Sequence, residues 1–294
     1  MKVVSAADVQ PQEQNRERWS PRSGGTIMQL IMGVQTDDGL DFRIVRSQFQ
    51  AGEKAFRSPR HTHAFQQFRF TEKGLNNHDP NINAAEGDIV YFPQGAWYGP
   101  QEKNNGIGIA LQYGFNGEHQ MGPKWEALRP KALALLASRG TTEDGIYTEI
   151  DSASGKRIPK DAVQALYDAQ WELATGEKFI VPPPKYDAPI LMHPPAFHFY
   201  QLSPGVEVKH LGRFFDQPGP NGDAQVNQVR LSDGGKYHLQ ADRHQTGWVL
   251  SKGLEINGTK YSERTFFYCP RGEEAELSSK DPLEVFVIEF PRLD

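Results

Sequence analysis

The sequence is short of cysteine, of long apolar runs and of clustered positive charge, and each shortage narrows what the chain can be. One cysteine in 294 residues, Cys269, excludes an internal disulfide framework and any metal cage built from thiolates. No apolar run approaches the roughly 18 residues needed to span a bilayer. The first twenty residues lack a sustained apolar core, so they do not read as a secretory leader, and a cytoplasmic protein is the expectation. Lysine and arginine number 32 against 37 aspartates and glutamates, a net charge of -5. With no basic block, nucleic acid is a poor partner. Also missing are a phosphate-cradling glycine loop, a Gly-x-Ser-x-Gly elbow and a His-Glu-x-x-His pair, which removes those reaction classes together with nucleotide and flavin cofactors.

What the chain has is aromatic bulk and frequent punctuation. Its 17 Phe, 10 Tyr and 5 Trp supply large groups to bury, which sets it apart from disordered sequences. The 28 glycines and 21 prolines are scattered, and short alternating or apolar runs lie between them, the mark of a β-rich fold. Such runs occupy 26–34, 40–49, 88–92, 106–113, 206–215, 248–254 and 284–290. Only the middle reads as helix. Trp125, Leu128, Ala132, Leu135 and Leu136 fall at helical spacing over 124–138. Ala162, Leu166, Tyr167, Gln170 and Trp171 do the same over 161–175, with Asp161 as N-cap and Gly176 as C-cap. The proline-rich stretch 181–195 cannot sit in a central strand and reads as a linker. Residues 1–24 read as a polar arm, either mobile or strapped across a partner subunit.

The chemistry concentrates in SPRHTHAFQQFRFTEKG (58–74) and GDIVYFPQGAWYGPQ (87–101). His61 and His63 are two apart, so on a strand both imidazoles project from one face. Gln67 follows four residues on, Arg69 shares its parity, and Gly74 closes the block. The second block places Gly87, Pro93, Gly95 and Tyr98 at spacings of six, two and three. Paired histidines with a third donor from a neighbouring strand can form a metal site with open positions. A polar pocket without metal uses the same residues. A buried Arg69 needs an anion, either within the protein or as a substrate carboxylate or phosphate. Phe65, Phe92 and Trp97 either line the pocket or fill the core.

These two blocks resemble the two motifs of the cupin superfamily, Gly-x5-His-x-His-x3-4-Glu-x6-Gly and Gly-x5-Pro-x-Gly-x2-His-x3-Asn. His61, His63, Gln67 and Gly74 match the first, and Gly87, Pro93, Gly95 and Tyr98 the second. The opening glycine slot falls on Ala55. Gln67 replaces the family's carboxylate and Tyr98 its third histidine. The resemblance implies an all-β fold of two jelly-roll barrels, because the skeleton recurs. Gly234, Gln240, Asp242, Thr246 and Gly253 fall at one constant offset. Pro270, Gly272 and Ala275 fall at another, and Arg264 stands in the glycine slot. The second copy has the frame and no metal ligands. The expected organisation is an arm (1–24), a first barrel holding the site (25–120), a short helical and proline-rich connector (121–195) and a degenerate second barrel (196–294). Pairing through barrel edges would give a homodimer.

Three functions follow from the resemblance. The first is a metal-dependent enzyme, dioxygenase or lyase/isomerase in type, acting on a small cyclic or aromatic molecule. One Fe, Mn, Ni or Zn ion would be held by His61, His63, Gln67 and Tyr98, with His61, His63 and Tyr98 catalytic and Arg69, Phe65 and Trp97 on the substrate. The second is a metal-free acid–base enzyme of the epimerase or isomerase kind. The third is a non-catalytic bicupin that binds a small molecule. His78 is expected on an exposed hairpin tip, and His193, His198 and His210 have no partner at a useful spacing. A His238–Asp242–His244 site in the second barrel is the remaining alternative.

Overall fold

The computed structural model describes residues 1–13, 24–117, 123–151, 154–215 and 222–292. The chain divides into two compact units, one of Pro11–Leu191 and one of Met1–Gln10 with Met192–Asp294. Most of the helical and proline-rich connector therefore belongs to the first unit. Both units are built from antiparallel strands, and among the described residues two α-helices stand against them.

In the first unit a large sheet carries, in order, Ile89–Phe92, Gln66–Lys73, Ile107–Phe115, Leu40–Phe49, Thr26–Gln35 and Gln12–Glu13. A smaller sheet runs Phe56–Ser58, Gln101–Lys103, Asn76–Asp79 and Ile82–Ala84. The second unit repeats the plan. Its large sheet orders Thr265–Cys269, Gln245–Val249, Leu283–Glu289, Asp223–Leu231, Val206–Phe215 and Tyr200–Ser203. Its small sheet orders Lys236–Leu239, Ala275–Ser278, Glu255–Ile256 and Thr259–Lys260. The expected strands at 26–34, 40–49, 88–92, 106–113, 206–215 and 284–290 are present within a residue or two at either end. The run 248–254 is a correction, because its strand is Gln245–Val249 and Gly253 then turns the chain at φ 108°.

The arm also needs correction. Lys2–Ser5 is a strand paired with Thr265–Cys269, Lys2 opposite Tyr268 and Ser5 opposite Thr265. It extends the chain's own second unit, and Gln12–Glu13 pairs with Thr26–Gln35 in the first. The rest of the arm, 14–23, lies outside the described residues.

The helices Pro123–Arg139 and Ala162–Thr175 form where their apolar spacing places them. The Asp161 carboxylate accepts from the Gln164 N–H at 2.9 Å, and Gly176 ends the second helix in the left-handed region at φ 78°, the usual cap pair. Ala132, Leu166 and Ala169 make the helix–helix contact. Between the helices lies a three-stranded sheet, Gly140–Glu143, Ile146–Ile150 and Arg157–Asp161, which the sequence reading did not anticipate. No described helix is long and apolar enough to cross a membrane.

The two interiors differ in kind. In the second unit Val206, Val229, Leu239, Leu277, Val285 and Val287, with their neighbours, close both sheets onto one apolar core. Ala275 is part of it, while Gln240 and Asp242 face solvent. His238 is exposed as well, so the three-residue site considered for this barrel does not assemble. The buried His244 instead sits against the Tyr268 hydroxyl at 2.8 Å and accepts at Nδ1 from the Arg271 N–H at 3.0 Å. In the first unit a small apolar cluster of Ala84, Val90, Phe92 and Tyr98 stands beside buried polar groups such as His61, Gln67 and His78.

The second unit is also held by one buried carboxylate. Asp223 has no solvent exposure and accepts from Arg213 at 2.6 Å, Gln225 at 2.8 Å and Arg243 at 3.2 Å. Burial alone would raise its pKa. The hydrogen bonds from Arg213, Gln225 and Arg243 and the charge of Arg243 outweigh it and hold the pKa at about 2. A carboxyl depressed in the folded state stabilises above its unfolded pKa and loses that contribution as pH falls through the folded value. Urea unfolding between pH 5 and pH 2 is therefore expected to cost the parent roughly 2 kcal/mol more than Asp223→Asn. Parallel pH curves for the two proteins would refute this.

Candidate functional site

The site begins with a backbone clasp between the two motif segments. His61 and Tyr98 exchange hydrogen bonds, N–H to O at 3.0 and 3.1 Å, and the Gly95 N–H donates to His63 O at 2.8 Å. Gly95 turns the chain at φ 77°, and a Cβ there would lie 2.2 Å from Pro182 O. Only glycine fits that turn. The clasp leads into Gln66–Lys73, which carries Gln67 and Arg69 two residues apart on one face.

The side chains then meet. His61 and Gln67 have no exposed surface, Tyr98 and Phe65 have 1% and His63 has 7%. The imidazoles of His61 and His63 stand edge to face with centroids 5.0 Å apart, although both residues precede the regular strand. Phe65 stacks on His63 at 4.6 Å. The Tyr98 hydroxyl is the hub. It sits against His63 Nε2, accepts from the Gln67 amide N–H at 3.3 Å and accepts from Arg69 Nη2–H at 3.1 Å. Since amide and guanidinium nitrogens only donate, the phenol's own proton points to His63 Nε2. With His63 neutral, its hydrogen is then on Nδ1. His61 Nδ1 lies 2.7 Å from Pro59 O. A carbonyl only accepts, so this Nδ1 carries the hydrogen and the lone pair is on Nε2.

Gln67 is held as firmly. Its Oε1 accepts from Arg69 Nε at 3.1 Å, Arg69 Nη2 at 2.9 Å and Gln112 Nε2 at 3.0 Å. Gln112 in turn accepts from Arg43 Nε at 2.6 Å. Sheet register explains the row, because Arg43 pairs with Gln112 and Gln112 pairs with Gln67 across three strands. Arg69 also donates to Gln101 Oε1 at 3.2 Å and lies 4.5 Å over the Phe92 ring. Half-buried Arg69 thus meets neutral oxygens and an aromatic face.

Of the residues singled out in the sequence, the structure brings together His61, His63, Phe65, Gln67, Arg69 and Tyr98. Trp97 is a correction. It is 45% exposed, under the Arg60 guanidinium at 5.8 Å, because side chains alternate along 96–98 and Ala96 and Tyr98 take the inner side. His78 is another, since it is 2% exposed and not on a hairpin tip. The sequence reading took Tyr167 as a core position of its helix. Its ring in fact stands 6.4 Å from His63 and 6.3 Å from Phe65.

A divalent cation does not fit this donor set. Among the described residues no three His, Cys, Asp or Glu side chains converge on one point. The Gln67 oxygen is taken by three donors, two of them on a guanidinium. Tyr98, its second neutral substitute, is engaged by His63, Gln67 and Arg69. A dication would also stand beside the Arg69 charge.

No family model and no curated protein matches the sequence. Solved structures do match the fold. A candidate dioxygenase from Nostoc punctiforme superimposes with a TM-score of 0.58 at 12% identity, over 99% of this chain and 82% of that one. Oxalate decarboxylase from Bacillus subtilis gives 0.53 at 11% identity, over 100% and 78%, and structures of that enzyme have been studied for their Mn(II) centres. A protein from Geobacillus kaustophilus gives 0.51 at 10% identity, over 99% and 95%. The chain has the all-β bicupin fold.

Plasma mass spectrometry of untagged protein is expected to find well under one equivalent of any transition metal, with EDTA leaving the thermal midpoint unmoved. One equivalent that disappears in His61→Ala/His63→Ala would overturn the electrostatic argument.

Proposed function

We propose that the first barrel is the active site of a metal-free acid–base enzyme, isomerase or lyase in type, that acts on a small organic molecule. The Tyr98 hydroxyl carries the reading, held between a proton acceptor, His63 Nε2, and two fixed donors, Gln67 Nε2 and Arg69 Nη2. Such a phenol can pass its proton to His63 while Gln67 and Arg69 hold the oxyanion that remains. Tyr98 then accepts a proton from a substrate carbon, and the His63 imidazolium returns one to the other end of the developing enolate. The buried His61 Nε2 offers a second lone pair. Phe65 against His63 fixes its ring and keeps water from that face, which strengthens the charged contacts.

The likeness in fold to oxalate decarboxylase and to a candidate dioxygenase supports an enzymatic reading. Their metal chemistry is not carried over, because Gln67 and Tyr98 with Arg69 between them make a different donor set. A binding protein without catalysis is less favoured, since binding alone does not call for a phenol held between an imidazole and two fixed donors. The second barrel, with its apolar core, serves as structure.

Deuterium exchange from solvent into a panel of small hydroxy- and oxo-acids and sugars, followed by NMR, tests this directly. Tyr98→Phe is expected to slow the accepted substrate by about a hundredfold or more, and His63→Gln comparably, with EDTA without effect. Exchange that collapses on chelation and returns with Mn(II), or that survives Tyr98→Phe intact, would sink the proposal.

A further inference from the structure

Beyond Arg69 the first barrel holds a cavity of about 140 Å³. It has room for a molecule of several heavy atoms, at about 30 Å³ for each water-sized group. Its walls come from both sheets. Arg43 and Arg69 enter from the large sheet, and His78 and Lys103 from the small one. Strand alternation puts them there, because Gln101 and Lys103 share one face and Asn76 and His78 share another. Lys103 pairs with Asn76 across the two strands. Among the described residues that line the cavity there is no aspartate or glutamate.

Four buried polar atoms of its wall make no hydrogen bond within the protein. They are Thr26 Oγ1, Asn76 Oδ1, His78 Nδ1 and Gln101 Nε2. Native interiors rarely leave such groups unsatisfied without a reason. Gln101 is oriented, because its Oε1 already accepts from Arg69 and its amide N–H is the spare group. Asn76 is oriented the opposite way, its nitrogen donating to Thr71 and to Ile107 O, which leaves an acceptor. The wall thus offers three cationic side chains, a spare amide donor and one spare acceptor.

We infer that this chamber binds a small oxyanion that also carries a hydroxyl, with Arg43, Arg69 and Lys103 as its charge partners, Gln101 as a further donor and Asn76 accepting the ligand's O–H. A hydroxy-carboxylate and a monohydrogen phosphate share that chemistry. Arg69 joins the chamber to Tyr98, but the inference stands on the cavity and not on the acid–base reading. Burial, with Lys103 and Arg69 nearby, holds the His78 pKa well below its ordinary value, and an anion between these groups would relieve that pressure.

Isothermal titration calorimetry with phosphate, lactate and propionate reads binding without turnover, so the acid–base proposal can fail and leave this one standing. Phosphate or lactate is expected to bind, and propionate, lacking the hydroxyl, to bind more weakly. Tighter phosphate would mark a free-ion site, and tighter lactate a site for the acid end of an organic ligand. Lys103→Met and His78→Asn, each checked for folding by circular dichroism, should weaken binding about tenfold. Should a variant fail to fold, the His78 ring resonances of the parent should still shift on saturation. Absence of binding, or binding unaltered in a folded variant with the His78 resonances unmoved, would overturn the inference.

Discussion

A guanidinium inside a barrel must be answered, and the answer given to Arg69 organises the first unit. Its nitrogens are met by the oxygens of Gln67, Gln101 and Tyr98, and its plane lies over Phe92. All of these partners are neutral. A carboxylate at position 67 would have made an ion pair and left the barrel close to electrical balance. With glutamine there, the Arg69 charge is met by neutral oxygens, a setting that suits an oxyanion better than a metal cation. The same charge favours an anion in the chamber beside it.

The two units show how loosely the fold binds the chemistry. Strand order, small-sheet order and motif glycines recur, with Gly74 and Gly95 answered by Gly253 and Gly272, all at positive φ. The interiors are nevertheless opposites. In the second unit apolar side chains close the barrel, a filling that needs no hydrogen-bond accounting. In the first, buried polar groups call for partners, and most of those around Tyr98 find them in one another. Rows such as Arg43–Gln112–Gln67 do so by running across neighbouring strands, where register alone brings side chains into contact. Arg213, Gln225 and Arg243 around Asp223 do similar service in the second unit, but as a structural tie.

Much of this could be read from the sequence where position and chemistry coincide locally. The motif spacing identified His61, His63, Gln67 and Tyr98 because they stand on or beside one strand and the turn at Gly95 whose glycine is itself visible. Both helices followed from apolar spacing and from the caps Asp161 and Gly176. The three-stranded sheet 140–161 did not, because its strands are short, largely exposed and not alternating. Lys2–Ser5 was missed for a related reason, since four residues carry too little pattern to announce a strand. His78 was misplaced because Asn, Asp and Pro around it signal a turn, whereas pairing with the strands beside it pulls the segment inward. The chamber could not be read at all. Arg43, Arg69, His78 and Lys103 are far apart in the chain, and only closure of the two sheets brings them to one space.

That closure also links the chamber to Tyr98 and His63. Gln67 is polarised along one direction, its oxygen toward Arg69 and Gln112 and its nitrogen toward Tyr98. Through Gln112 the row reaches Arg43, and through Arg69 it reaches Gln101. Cations at one end and a phenol at the other are therefore connected by groups whose dipoles point the same way. An anion bound beside Arg43 and Arg69 would therefore meet the same row of hydrogen bonds that holds the Tyr98 hydroxyl, so the two proposed roles of this barrel meet in one set of groups.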